Sequence, residues 1–450
     1  MHINHESEIK KVLIFIILVI LFALYAVLRW NNESVAFEKA KQISDTKAYI
    51  RISREPLLTR DFWANTRPAI YPLILKIFQA DVSTVSAFQS AFSILAWFIL
   101  ASSIAYSLTG FLRSISFGLI LVLSLDRHIA GWDVVMLTES ISLSLMVLFI
   151  SGWIWLLKRW SVGKMIWLSL IAILWAFSRD TNAWIILFIA GIMSLAVIFF
   201  GAKRQFISLV IVFFVIFVAS NLAANLGSRW IFPFQNVLAQ RVLTDKEALS
   251  FFSNCGMPIT PELLRLAGGN AASEERAFYS DPALEPYRTW LHADGKSCYI
   301  RWLLASPVQS LYQPLTDFAP LIAFENVNKF FPQRYEHVLP WYAERLLYPK
   351  DALLFLWVLI SMIAVIASIQ KTWQFNSLWM IFVGLCLLIY PYLFIVWHGD
   401  TLGTPRHALA ISVEFILSFW LCVLLLLEKV FLRLRVPSFV YSPEIWARDK

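Results

Sequence analysis

The sequence predicts an all-α polytopic membrane protein, with about ten transmembrane helices and one mostly helical extracytoplasmic domain. Three observations carry that expectation. Of 450 residues, 59% are hydrophobic and only 15% charged, against about a quarter charged in a soluble chain. Apolar stretches recur near the ~20 residues that a helix needs to cross a bilayer. The polar connections between them alternate in charge, and that alternation sets a topology. Helices rather than strands follow, because backbone groups in lipid must be satisfied within their own segment.

Taken in order, the spans read as 11–30, 82–107, 112–125, 139–157, 164–178, 183–200, 205–224, 351–370, 377–397 and 407–428. Lys10 and Lys11 precede the first, and LRWNNESVAF after it offers no small-residue cleavage site, so it reads as a retained anchor. Basic residues mark one set of connections: Arg113, then Lys158, Arg159 and Lys164, then Lys203 and Arg204, then Lys371, then Lys429, Arg433 and Arg435. The other set, DRHIAGWDVVMLTE, SRDTN and HGDTLGTPRH, is mixed or acidic. The positive-inside rule places the basic set and both termini in the cytoplasm. Topology thereby accounts for the net charge of +8, and no nucleic acid partner is implied.

Three regions emerge. Residues 1–230 form a seven-span core with a first outer loop at 31–81, residues 231–348 an extracytoplasmic cap, and residues 349–450 a three-span return with a cytoplasmic tail. The cap reads as helical from amphipathic pieces such as NVLAQRVL and PELLRLAG, punctuated by Pro258, Pro261, Pro282 and Pro286. Its aromatic-rich edges suit a membrane surface. Cys255 and Cys298 both fall in it, where oxidising surroundings permit a disulfide. Spacing alone leaves open whether they meet.

Polar residues at the outer boundary are the chemically informative set. Asp45 and Tyr49 in SDTKAYIRIS are four apart and share a face if helical. TRPAIYPLILKIF follows, where Pro68 and Pro72 restrict the backbone beside Arg67. The next outer connections hold Asp133 and Glu139, then Arg179 and Asp180, then His398, Asp400, Arg406 and His407. A carboxylate within reach of a hydroxyl can act as general base, and guanidinium forks suit phosphate. Blander roles exist for each. Glu139 opens a span, where a helix dipole favours an acid. Arg179 reads equally as an ion-pair partner of Asp180, and Arg67 and Arg406 as snorkelling anchors. Asp45, Asp133 and Glu139 offer oxygens to a divalent metal, but no spacing demands one, so any cofactor requirement stays open.

The order D-x-x-x-Y, R-P-x-x-Y-P-L-x-L, then T-E-S opening a span, resembles the GT-C superfamily of integral-membrane glycosyltransferases. So do SRD closing a span, where the family commonly has TRP, and a late R-H-x-L-x, where it often has R-Y-x-L-P. Protein O-mannosyltransferases and lipid A aminoarabinose transferases belong to that superfamily. The resemblance covers residues 1–210, and 390–428 more thinly. It implies a polyprenyl-phosphate sugar donor, an outward-facing site and, as is usual there, inversion at the anomeric carbon. The acceptor it implies is a glycan, lipid or protein, and the compact chain without eukaryotic signals points to a bacterial inner membrane. Position by position, Asp45 matches the catalytic acid of the first loop and Glu139 an acid of the second. Arg67, Arg179 and Arg406 match arginines near the donor phosphate, and Tyr49, Asp133 and His407 fall with them in the substrate-binding set. The sequence departs from the family at Thr46, where O-mannosyltransferases carry the second acid of a pair, and at Asp180, where proline is usual.

The alternative is a flippase or transporter of a lipid-linked saccharide. Such a protein lines a path with charges inside its spans. The sequence shows span interiors nearly free of charge, with charges gathered at the boundary, which favours a transferase. A scaffold for envelope assembly would suit the long outer segment but leaves the acids and arginines unexplained.

Overall fold

The computed structural model describes residues 2–200, 204–322, 327–332, 338–348, 351–369 and 376–435. Lys203, Lys371 and the tail beyond 435 lie outside the described residues. Among those described, the chain is helical throughout, and its only β pairing is an isolated parallel bridge between Lys41 and Val135. The main helices are α1 (His2–Ser34), α2 (Ser44–Ser53), α3 (Ile70–Ile77), α4 (Val82–Ser107), α5 (Leu112–Leu123), α6 (Glu139–Lys158), α7 (Val162–Ala176), α8 (Asp180–Phe200) and α9 (Arg204–Leu226). They continue with α10 (Ile231–Val237), α11 (Lys246–Asn254), α12 (Lys296–Ala305), α13 (Pro307–Thr316), α14 (Ala352–Ile369), α15 (Ser377–Gly399) and α16 (Leu409–Arg435).

Seven helices among the described residues are long and apolar enough to span a membrane, or nine if two bent pairs each count as one span. The chain is therefore an all-α polytopic membrane protein. One bent pair joins α5 to residues 127–134 at 56°, so the expected span at 112–125 turns before it ends. The other joins Trp341–Leu347 to α14 at 51°. The span expected at 164–178 is the fifteen-residue α7, about 22 Å long and short of a ~30 Å hydrocarbon layer.

Helix α6 is the axis of the bundle. Its apolar residues are interleaved with Ser140, Ser142, Ser144 and Ser151, all buried, and a helix without a polar face is enclosed on every side. It packs against α4, α7 and α15, and α15 also meets α8 and α16. The C-terminal spans thus close back onto the N-terminal ones. Helix α1, exposed along most of its apolar length, packs against α4, α5 and the turn at 131–134.

Residues 231–298 bury a core of their own around Phe234, Leu238, Phe252, Phe278 and Trp290. Cys255, which caps α11, is joined by a disulfide to Cys298 on α12, closing the two sides of that core. Intact protein treated with a thiol-blocking reagent without reduction is expected to show neither cysteine labelled by mass spectrometry; labelling of both would show that the bridge does not form. The segment expected as a cap, 231–348, contributes to two hydrophobic cores. Leu321, Ile322, Val327, Phe331 and Tyr348 belong to the core of the bundle, because this segment is rich enough in large apolar residues to pack between spans.

Candidate functional site: a cluster of two acids and three arginines

The loop that follows α1 is fixed to the entrance of α6 by its backbone. The Lys41 N–H donates to the Val134 carbonyl at 2.9 Å, and the Met136 N–H to the Lys41 carbonyl at 2.9 Å. Thr46 extends the clip: its hydroxyl accepts from the Ile43 N–H at 3.0 Å and donates to the Met136 carbonyl at 2.9 Å. These bonds start α2 beside the residues that lead into Glu139. Asp45, in the first turn of α2, therefore faces the first residue of α6. Thr46 does here what an ionised acidic residue would not, since a hydroxyl both accepts and donates while a carboxylate only accepts.

The Arg-Pro turn comes back to the same place. Arg67 Nη2 donates to Asp45 Oδ1 at 2.6 Å, and the Ile70 N–H bonds the Phe177 carbonyl at 3.3 Å, next to Arg179. At the far end of α3, Lys76 Nζ donates to the Ser53 and Glu55 carbonyls, joining α3 to the end of α2. Arg229 seals the other side, donating to the Asn65 and Trp63 carbonyls and pairing with Asp180 at 2.9 Å. Asp180 is thus the partner of Arg229. Gly227 is needed for that approach, since a Cβ there would lie 2.1 Å from the Asn65 carbonyl oxygen.

The connection between α15 and α16 completes the cluster. Arg406, on the short helix Thr404–His407, places Nη1 3.1 Å from Asp45 Oδ2 and Nε 3.4 Å from Glu139 Oε1. Arg179 Nη1 lies 3.5 Å from the same Glu139 oxygen. Asp45 is thus gripped by Arg67 and Arg406, and Glu139 by Arg406 and Arg179. Glu139 is almost fully enclosed, with its second oxygen without a protein partner, while Asp45 and Arg67 remain about a quarter exposed. Tyr49, buried beneath Asp45, packs edge-on against Tyr71 with ring centroids 5.1 Å apart. Phe232 and Phe330 lie 6.0 and 5.7 Å from the guanidinium carbons of Arg67 and Arg406.

Charge states follow from these contacts. Burial works to raise the Asp45 pKa, but Arg67 and Arg406 overcome it and hold the carboxyl below its ordinary value. Burial, reinforced by Arg406, Arg179 and Arg67, pushes His407 well below the usual imidazole range, so its ring is neutral. Arg179 Nη2 meets His407 Nδ1, and guanidinium can only donate, so Nδ1 accepts and the ring proton sits on Nε2. That edge faces Asp400 at 3.8 Å. Asp400 in turn accepts from Asn236 of α10 and from the Leu402 N–H, each at 2.9 Å. Three guanidinium groups therefore face two carboxyl groups, leaving an excess of positive charge at a partly open site.

Asp133 is placed elsewhere. Its carboxylate takes Arg29 Nη2 at 2.7 Å and the Ser140 hydroxyl at 2.5 Å, inside a closed network that also holds Glu33, Tyr25 and Ser93. The expectation of nearly charge-free spans is corrected here: Arg29 and Glu33 in α1 and Glu414 in α16 are all buried. The sequence does carry their signal. Arg29 and Glu33 stand four apart, the spacing of an intrahelical ion pair, and α1 simply continues past the apolar run that marks the span. Among the described residues, no three or more His, Cys, Asp or Glu side chains gather as metal ligands. No protein-family model matches this chain, and no curated protein is significantly similar to it.

Proposed function

We propose that the protein is a membrane glycosyltransferase of GT-C type, moving a sugar from a polyprenyl-phosphate donor to a hydroxyl on a glycan, lipid or protein. One observation carries the reading: four connections distant in sequence bring Asp45, Glu139, Arg67, Arg179 and Arg406 into one cluster. In this reading ten helices span a bacterial inner membrane, α7 as a short span, and the cluster faces outward.

The donor phosphate is attracted by the excess positive charge and competes with Asp45 for Arg67 and Arg406. Release from those cations moves the Asp45 pKa back up, and its carboxylate becomes the stronger base. The acceptor oxygen then bonds to the anomeric carbon while the bond from that carbon to the phosphate oxygen breaks. The hydroxyl proton passes to Asp45. The electron pair leaves with the polyprenyl phosphate, whose charge the arginines stabilise. Glu139 holds Arg406 and Arg179 in place.

Binding of undecaprenyl monophosphate to protein in nanodiscs tests the reading. Arg67→Gln, Arg179→Gln and Arg406→Gln should each weaken it roughly ten- to a hundredfold, since a charge-assisted bond contributes about 1.5–3 kcal/mol. Unchanged affinity in all three would reduce these arginines to membrane anchors. The flippase alternative draws on an acid that does lie inside a span, Glu414, which is buried in α16. Mass spectrometry of envelope glycans from cells lacking the gene separates the two. A missing sugar linkage supports transfer, and an accumulated inward-facing lipid-linked saccharide supports flipping.

A further inference from the structure

Residues 302–316, WLLASPVQSLYQPLT, contain no charged side chain. They form the end of α12 and all of α13, and the remainder of this region is studded with charges such as Arg288, Asp294 and Arg301. Ile300, Leu304, Val308 and Tyr312 recur every fourth residue, and all are exposed, Val308 by 81% and Leu304 by 71%. Leu311 and Leu315 join Val308 and Tyr312 as exposed apolar residues of α13, while Ile300 and Leu304 stand before the break at Ser306 on α12. A soluble surface rarely presents so continuous an apolar face.

The partner of α13 shows where that face lies. His398 Nε2 donates to the Ser310 carbonyl at 2.9 Å, and the Tyr390 hydroxyl donates to the Leu311 carbonyl. Pro314 explains the first bond: it has no N–H to offer the carbonyl four residues back, so the Ser310 oxygen is free to accept from a neighbour. Both donors belong to α15, a candidate span that ends at Gly399. Tyr390 sits nine residues before that end, about 13 Å along the helix. Helix α13 therefore lies alongside the last turns of a span. One and two turns before Tyr390 on α15, Leu387 and Val383 are exposed, as lipid-facing residues are. The stripe on α12 and α13 continues that surface. On its other side, Gln309 and Gln313 line a groove with Arg241, Thr244 and Glu247, so the segment is apolar towards one medium and polar towards the rest of the region.

We propose that α12 and α13 are embedded in the bilayer, their apolar stripe among the acyl chains of the leaflet that holds the C-terminal half of α15. The region is then anchored in lipid by a helix that does not cross it, as amphipathic helices lie in an interface. This inference is independent of the transferase reading.

Power-saturation EPR on protein reconstituted in phosphatidylethanolamine–phosphatidylglycerol liposomes tests it. Nitroxides are placed at Val308→Cys and Tyr312→Cys in a Cys386→Ala, Cys422→Ala background that keeps the disulfide. Asp294→Cys serves as the aqueous reference and Val383→Cys as the lipid reference. Collisions with oxygen should outnumber those with a water-soluble nickel chelate at 308 and 312, as at 383. Nickel accessibility equal to that at 294 would overturn the proposal. So would spectra broadened by spin–spin coupling, which would show a second copy of the chain covering the stripe.

Discussion

Asp45→Asn protein is expected to insert and fold normally, to bind polyprenyl phosphate, and to transfer sugar at a rate lowered on the order of 10²–10⁴-fold, the usual contribution of a general base. The substitution keeps size and polarity, and its amide oxygen can still accept from Arg67, so the cluster loses charge rather than shape. Single-turnover transfer measured beside donor binding separates the two effects. Near-normal turnover would remove Asp45 from the mechanism and leave Glu139 as the next acid. The pH dependence has a defined direction. Because the Asp45 pKa is held below its ordinary value by Arg67 and Arg406 against the effect of burial, the base stays ionised throughout neutral pH. The acid limb of kcat/KM, which reports the free enzyme, should fall below the ordinary aspartate range.

Arg29→Met should be the most destabilising single change outside the cluster, at about 3–5 kcal/mol, the cost of breaking a buried ion pair. Arg29 is fully enclosed, and its guanidinium is shared between Glu33 and Asp133 at 2.8 and 2.7 Å. Methionine fills a similar volume but leaves two carboxylates facing one another without a cation. Unfolding in mixed micelles, followed by tryptophan fluorescence, measures the loss. A change within about 0.5 kcal/mol, as for an ordinary surface substitution, would mean that the network carries no net stability. Converting Glu33 to Leu in the same protein should recover part of the loss, since one of the two unpaired acids is removed.

Much of this arrangement was legible in the sequence, for reasons that differ by element. Long apolar runs dictate helices whatever their neighbours, so α4, α6, α8, α9, α15 and α16 start or end close to where hydropathy places them. The members of the cluster, and Asp133 with them, were visible as polar residues that a bilayer forces to its edges. Which of them touch was not visible. Asp133 and Glu139 are six residues apart, yet one pairs with Arg29 and the other with Arg179 and Arg406. The turn at 131–134 rotates Asp133 towards α1 before α6 begins. Arg229 was equally hidden: nothing in its local sequence announces that Gly227 lets it reach Trp63, Asn65 and Asp180. Aromatic residues suit both a membrane surface and a bundle interior, and sequence alone did not show that Phe331 and Tyr348 join the second while Trp341 and Tyr342 stay exposed.

The clip that joins Lys41 to Val134 and Met136 has a consequence for how such a protein can change over generations. Apart from Thr46, it is made by main-chain atoms, which are common to every residue except proline at the donor positions. The alignment of the two acids is therefore insulated from drift in the side chains around it. Descendants of this chain can replace the exposed residues of 36–44 and keep Asp45 opposite Glu139. Kinship among such proteins would persist in the placing of a few charged residues long after resemblance along the rest of the chain had worn away.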